Sequence, residues 1–196
     1  HHIYQQQQAW QEELELLPLL RKQQLLNDSE VLAAQVRCYQ VPFGNILQKQ
    51  NEDELLAFWQ RQPRTIRHTR QLQLLLIDTL IQHQHYQAAF EQLAPLLRKQ
   101  ADEALWQRCI TLQLRDPEPL LQLLLRQLKQ HPQAPALLSA LGHQYFHQQQ
   151  YVQAQEYLER SVALQPTAAG QRTLAVIMKQ QRLFEKAAEY YRLSLN

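Results

Sequence analysis

Residues 135–166 read PALLSALGHQYFHQQQYVQAQEYLERSVALQP, and this stretch decides the fold. Within it, Tyr151, Ala154, Leu158 and Ser161 reappear 33 residues later as Phe184, Ala187, Tyr191 and Ser194. Aromatic maps onto aromatic, Ala onto Ala, large apolar onto large apolar and Ser onto Ser. Leu141 and Tyr145 move by the same shift onto Leu174 and Met178. A backward shift of 65, about two periods, lands on Tyr86, Ala89, Leu93 and Leu96. The hexapeptide PLLRKQ also stands twice, at 18–23 and 95–100. One period of 33–34 residues holding two helices is the footprint of an α-solenoid.

Composition agrees. Of 196 residues, 37 are Leu and 36 are Gln, both good helix formers. Three isolated glycines, Gly44, Gly142 and Gly170, leave no room for a glycine-rich phosphate loop or dinucleotide fingerprint. Hairpin glycines are also missing, which disfavours a β-rich fold. The 20 basic and 18 acidic side chains are interspersed, net charge +2, so no field points to nucleic acid as a partner. Cys38 and Cys109 have no Cys or His beside them at metal spacing; they read as small buried hydrophobes of a reducing compartment. No apolar run approaches the ~20 residues of a membrane span, so this stretch is expected to be soluble.

Apolar stripes predict helices near 3–24, 29–49, 52–61, 64–83, 86–99, 102–114, 117–130, 135–148, 151–164, 169–181 and 184–195. Prolines 117, 132, 135 and 166 fall between stripes, and Pro42 is expected to break or kink the second helix. Most Gln residues read as solvated helix surface. Three regions follow: degenerate hairpins over 1–62, a further pair over 63–132 with the second degenerate, and two full repeats over 133–196. The last helix displays Tyr190, Tyr191, Leu193 and Leu195, so exposed apolar surface and self-association through that end are expected.

Residues 135–166 closely resemble a tetratricopeptide repeat, with Leu138, Leu141, Gly142 and Tyr145 on the first helix, then Ala154 and the closing Pro166. The resemblance implies an all-α, right-handed α-solenoid of tetratricopeptide-like helical hairpins. Gly142 and Ala154, with Ala187 one repeat on, are small where the helices of a hairpin cross. The next repeat departs from the pattern, with Ala175 in place of Gly and no closing Pro. By the same resemblance the concave groove is lined by Ser139, His143, Phe146 and His147, then Arg172, Val176 and Lys179. His143, Val176 and Asp78 stand where a carboxylate clamp would need Asn, which disfavours capture of a chaperone tail.

At whole-chain level, AWQEELELLPLL at 9–20, FWQRQPRTIRHTR at 58–70 and the C-terminal repeats together resemble the tetratricopeptide portion of the HemY family. That resemblance implies a place in late protoheme biosynthesis at the bacterial inner membrane, with the repeats on the cytoplasmic side. Anchoring helices outside this chain and late heme-biosynthetic enzymes as partners are implied with it.

Catalysis has little to stand on: there is no nucleophile elbow, no HExxH and no CxxC. His143 and His147, at i and i+4, project from one helix face and are the candidates for a metal or an axial heme ligand. Without a third ligand they are expected to be groove histidines facing partner or water, with no resident metal or cofactor. Arg61, Arg64, Arg67 and Arg70 recur every third residue, the last three on one expected helix, as a basic ridge for an acidic partner or anionic lipid. The expected function is a non-enzymatic protein-interaction scaffold of late porphyrin and heme biosynthesis. The alternatives are a direct heme or porphyrin carrier and a general assembly adaptor.

Overall fold

The computed structural model describes the backbone of residues 2–48 and 51–195 and the side chains from Trp10 onward. The described residues form twelve helices and no strand. They are α1 (His2–Lys22), α2 (Asp28–Gln48), α3 (Glu52–Arg61), α4 (Arg64–Arg67), α5 (Arg70–Gln82) and α6 (Tyr86–Lys99). There follow α7 (Glu103–Ile110), α8 (Glu118–Leu128), α9 (Pro135–His147), α10 (Tyr151–Leu164), α11 (Ala168–Gln180) and α12 (Phe184–Leu193). The chain is an all-α solenoid-type assembly of helical hairpins. Residue 49, the expected end of the second helix, lies outside the described residues.

Local chemistry sets many of the helix starts. Asn27 and Glu30 form a reciprocal capping box, each backbone N–H donating to the other's side chain at 2.8 and 2.9 Å. Asn51, Asp102 and Thr167 accept from the backbone N–H of Glu54, Leu105 and Gly170, supplying partners to otherwise orphan donors.

Four hairpins turn in one way. Gln24, Gln84, Gln149 and Arg182 have φ of 59°, 64°, 60° and 62°, the left-handed region. At each, the residue's own N–H donates to the carbonyl three back, and the next N–H donates to the carbonyl five before it. For Gln149 and Gln150 these acceptors are Phe146 and Tyr145; for Arg182 and Leu183 they are Lys179 and Met178. This is the Schellman ending, built here without glycine.

Two compact units divide within α6, His1–Ala89 and Phe90–Asn196. In the first, α1 packs on α2 through Leu17, Val31 and Ala34. Phe43 is fully buried among the rings of Tyr39, Phe58 and Trp59, with centroids 5.8–6.1 Å away. Helix α2 runs through Pro42 without ending, so of the expected break or kink the break does not occur. Cys38, Tyr39, Pro42, Phe43 and Leu47 are all buried along it, and that packing holds the helix together across the proline. Helix α1 likewise continues through Pro18.

In the second unit α9 is central. Every residue from Ala136 to Gln144 is buried, against α7, α8, α10 and α11. The hairpins α9–α10 and α11–α12 pack against each other through Ala154, Leu158, Leu174 and Ile177, all 0% exposed. Gly142 marks the crossing of α9 and α10: a Cβ there would meet Leu158 Cγ at 2.5 Å and the Ala154 carbonyl oxygen at 3.2 Å. Ala187 is buried on α12, which packs on α11.

Candidate partner-binding face

The first helices of the two C-terminal hairpins, α9 and α11, carry the expected groove residues. His143 is 8% exposed, so it does not face solvent as expected; its ring joins the two helices. Nδ1 lies 2.8 Å from the Ser139 carbonyl oxygen, and Nε2 lies 3.2 Å from the Thr173 hydroxyl on α11. A carbonyl oxygen can only accept, so Nδ1 carries the proton in the neutral ring and Nε2 accepts from Thr173. The Thr173 hydroxyl is also 3.0 Å from the Ala169 carbonyl oxygen, so its single hydrogen is shared between two acceptors. Burial lowers the His143 pKa below its ordinary value of 6.5, the Ser139 carbonyl opposes this, and His147 adds a smaller lowering. Both ring nitrogens of His143 thus have hydrogen-bonding partners within the fold.

Ser139 is buried one turn before His143, and Phe146 is half-buried, its ring 6.0 Å from that of Tyr151. His147 lies at the exposed edge; desolvation of its ring lowers its pKa, with the Ile110 backbone acting in the opposite sense. On α11, Arg172 and Lys179 are exposed and Val176 is half-buried between them. Neither α9 nor α11 contains an Asp or Glu. The second helices α10 and α12 carry Glu156 and Glu159, then Glu185 and Glu189. The acids of the two hairpins thus sit on the second helices, beside Arg160, Lys186 and Arg192, while the first helices carry Arg172 and Lys179 and no acid. Among the described residues, no three His, Cys, Asp or Glu side chains come together to hold a metal.

The expected arginine ridge is broken. Helix α4 ends at Arg67, His68 and Thr69 intervene, and Arg70 opens α5, so Arg64, Arg67 and Arg70 do not share one helix. The cause is local. Arg67 turns back on the α3–α4 junction, donating from Nε to the Gln62 carbonyl at 3.1 Å and from Nη1 to Gln60 Oε1 at 2.8 Å. Arg61 and Arg64 are exposed, and Arg70 is half-buried.

Other residues surfaced only in the structure. Gln144 is 1% exposed and its Nε2 donates to the carbonyls of Cys109 (2.7 Å) and Leu112 (2.9 Å), tying the end of α7 to α9. Gln127, also buried, accepts from the Trp106 indole N–H and donates to the Leu97 carbonyl at 2.8 Å. Gln171 is buried too, so the reading of glutamine as solvated surface fails at these three positions. Ser161 donates to the Pro135 carbonyl at 2.9 Å, closing the α9–α10 hairpin at its far end. Both cysteines are buried and free, and burial pushes the Cys38 thiol up to about 11. Among the described residues no helix is long and apolar enough to cross a membrane.

Comparison with curated proteins gives no match. The family model of the tetratricopeptide repeat matches residues 135–168, which span α9, α10 and the turn into α11. The α9–α10 hairpin, with Gly142 at its crossing, is a tetratricopeptide repeat.

Proposed function

We propose that the chain is a non-enzymatic docking scaffold whose partner lies along the first-helix face of the C-terminal hairpins. The observation that carries this reading is that α9 and α11 hold no acid, and that they present exposed Arg172, Lys179 and His147 together with half-buried Phe146 and Val176. Such a face suits an acidic segment with an apolar anchor, the anchor supplying buried area and the charges supplying register and encounter rate. The resemblance of 9–20, 58–70 and 142–166 to the HemY family supports a place among late heme-biosynthetic enzymes at the bacterial inner membrane, the repeats on its cytoplasmic side. The scaffold uses no resident cofactor in this reading.

The test is binding of purified late-pathway enzymes to the chain and to an Arg172→Glu/Lys179→Glu variant. Binding that the variant weakens at least about tenfold supports the reading; equal binding by both chains, or none by either, sinks it. A Soret titration separates the carrier alternative: saturable absorbance lost in His143→Ala/His147→Ala would replace the scaffold with a porphyrin carrier.

A further inference from the structure

The second unit holds a solvent-open pocket of about 380 Å³ where the C-terminal ends of α6 and α8 meet, with Arg98, Lys99, Arg126 and His131 exposed at it. Arg98 and Lys99 line it from the last turn of α6, and Arg126 lines it from the last turn of α8. His131 closes one edge, its ring 5.4 Å from Trp106. No carboxylate lines the cavity. Arg98, Lys99 and Arg126 form no ion pair among the described residues. Three unpaired cations thus converge in a chain whose charges otherwise nearly balance.

Basic residues in a last turn ordinarily answer the exposed carbonyls of their own helix. Here two of those carbonyls at the end of α6 already have partners. The Leu97 carbonyl accepts from buried Gln127 Nε2, and the Leu96 carbonyl accepts from the Gln100 N–H. Gln127 is held in turn by the Trp106 indole, so the floor under the cations is fixed. Leu97 and Leu123 supply an apolar wall beside it. The volume is in the range of small-molecule sites.

We infer that this cavity binds a small soluble diphosphate or phosphate ester, its oxygens taken by Arg98, Lys99 and Arg126. Arginine forks match tetrahedral oxyanions in pairs, and three positive charges suit a multiply charged anion better than a single carboxylate. The site lies on helices other than α9 and α11, and it stands or falls independently of the docking face.

The experiment is calorimetric titration of the intact chain with inorganic pyrophosphate, repeated with Arg98→Gln, Arg126→Gln and, as a distant exposed cation, Arg192→Gln. Saturable one-to-one binding is expected, weakened about tenfold by each cavity variant and unchanged by Arg192→Gln. These are surface changes, and circular dichroism checks that the fold is retained. Absence of saturation overturns the inference. So does binding that all three variants weaken equally, which would be general charge attraction. Binding to phosphatidylglycerol vesicles without any response to pyrophosphate also overturns it, in favour of a lipid surface.

Discussion

Leu158 fills the space that Gly142 leaves. A Cβ on Gly142 would stand 2.5 Å from Leu158 Cγ and 2.9 Å from Cδ2, and Leu158 is itself fully buried. The α9–α10 hairpin is therefore closed by a missing atom on one helix and a branched side chain on the other.

Gly142→Ala is expected to destabilise the chain. Overpacking of about 1–3 kcal/mol exceeds the ~1 kcal/mol gained in helix propensity. A double change with Leu158→Ala should be strongly non-additive, since the new methyl then occupies the vacated space. Urea melts of the four chains measure the cycle.

The left-handed turns invite the opposite change. Gln149→Gly and Arg182→Gly each remove the ~1 kcal/mol cost of that conformation in an L-residue, and each is expected to raise thermal stability. Gln149→Val, branched at Cβ, should lower it. Melting temperatures of the three variants decide the point.

Gln144→Leu puts an apolar side chain of similar size in the buried place and strips the side-chain donor from the Cys109 and Leu112 carbonyls. A loss of about 1–3 kcal/mol is expected. Hydrogen exchange should show the increase concentrated in α7 and α9.

Protonation of His143 should loosen the link between α9 and α11. Its folded pKa lies below the ordinary 6.5, so the unfolded chain takes up the proton first as pH falls. The contribution is fully present above that ordinary value and is lost progressively below it. Melting temperature should fall from about pH 7 to about pH 5, and less steeply in His143→Gln. A parallel slope in both chains would remove His143 from the pH response.

The fold was largely written in spacing. The 33-residue shift marks both C-terminal hairpins, because Ala154 on α10 and Ala187 on α12 are buried small residues at equivalent positions. The turns at Gln24, Gln84, Gln149 and Arg182 carry no such mark, because left-handed positions are usually betrayed by glycine, and none stands at these four. Two of those spacings, 65 and 33, equal the repeat shifts and were the available signal. The arginine series misled for a related reason. Periodicity places residues on one face only while the helix continues, and Arg67 is drawn instead to Gln60 and Gln62, where α4 is a single turn. The role of His143 depended on Thr173, 30 residues away on a neighbouring helix, which no local pattern contains. Gln127 and Gln144 were hidden by abundance: among 36 glutamines, sequence alone does not mark those that bridge helices.

The pairing of the Trp106 indole with buried Gln127 has a spectroscopic consequence. Trp10 and Trp59 belong to the unit before Phe90, and Trp106 is the single tryptophan of the unit after it. With Trp10 and Trp59 changed to Phe, the emission maximum becomes a private gauge of the C-terminal unit. Its red shift on denaturation would date the release of that one indole from its amide, and set beside the loss of helix in the whole chain it would tell whether the C-terminal unit lets go with the rest or apart from it.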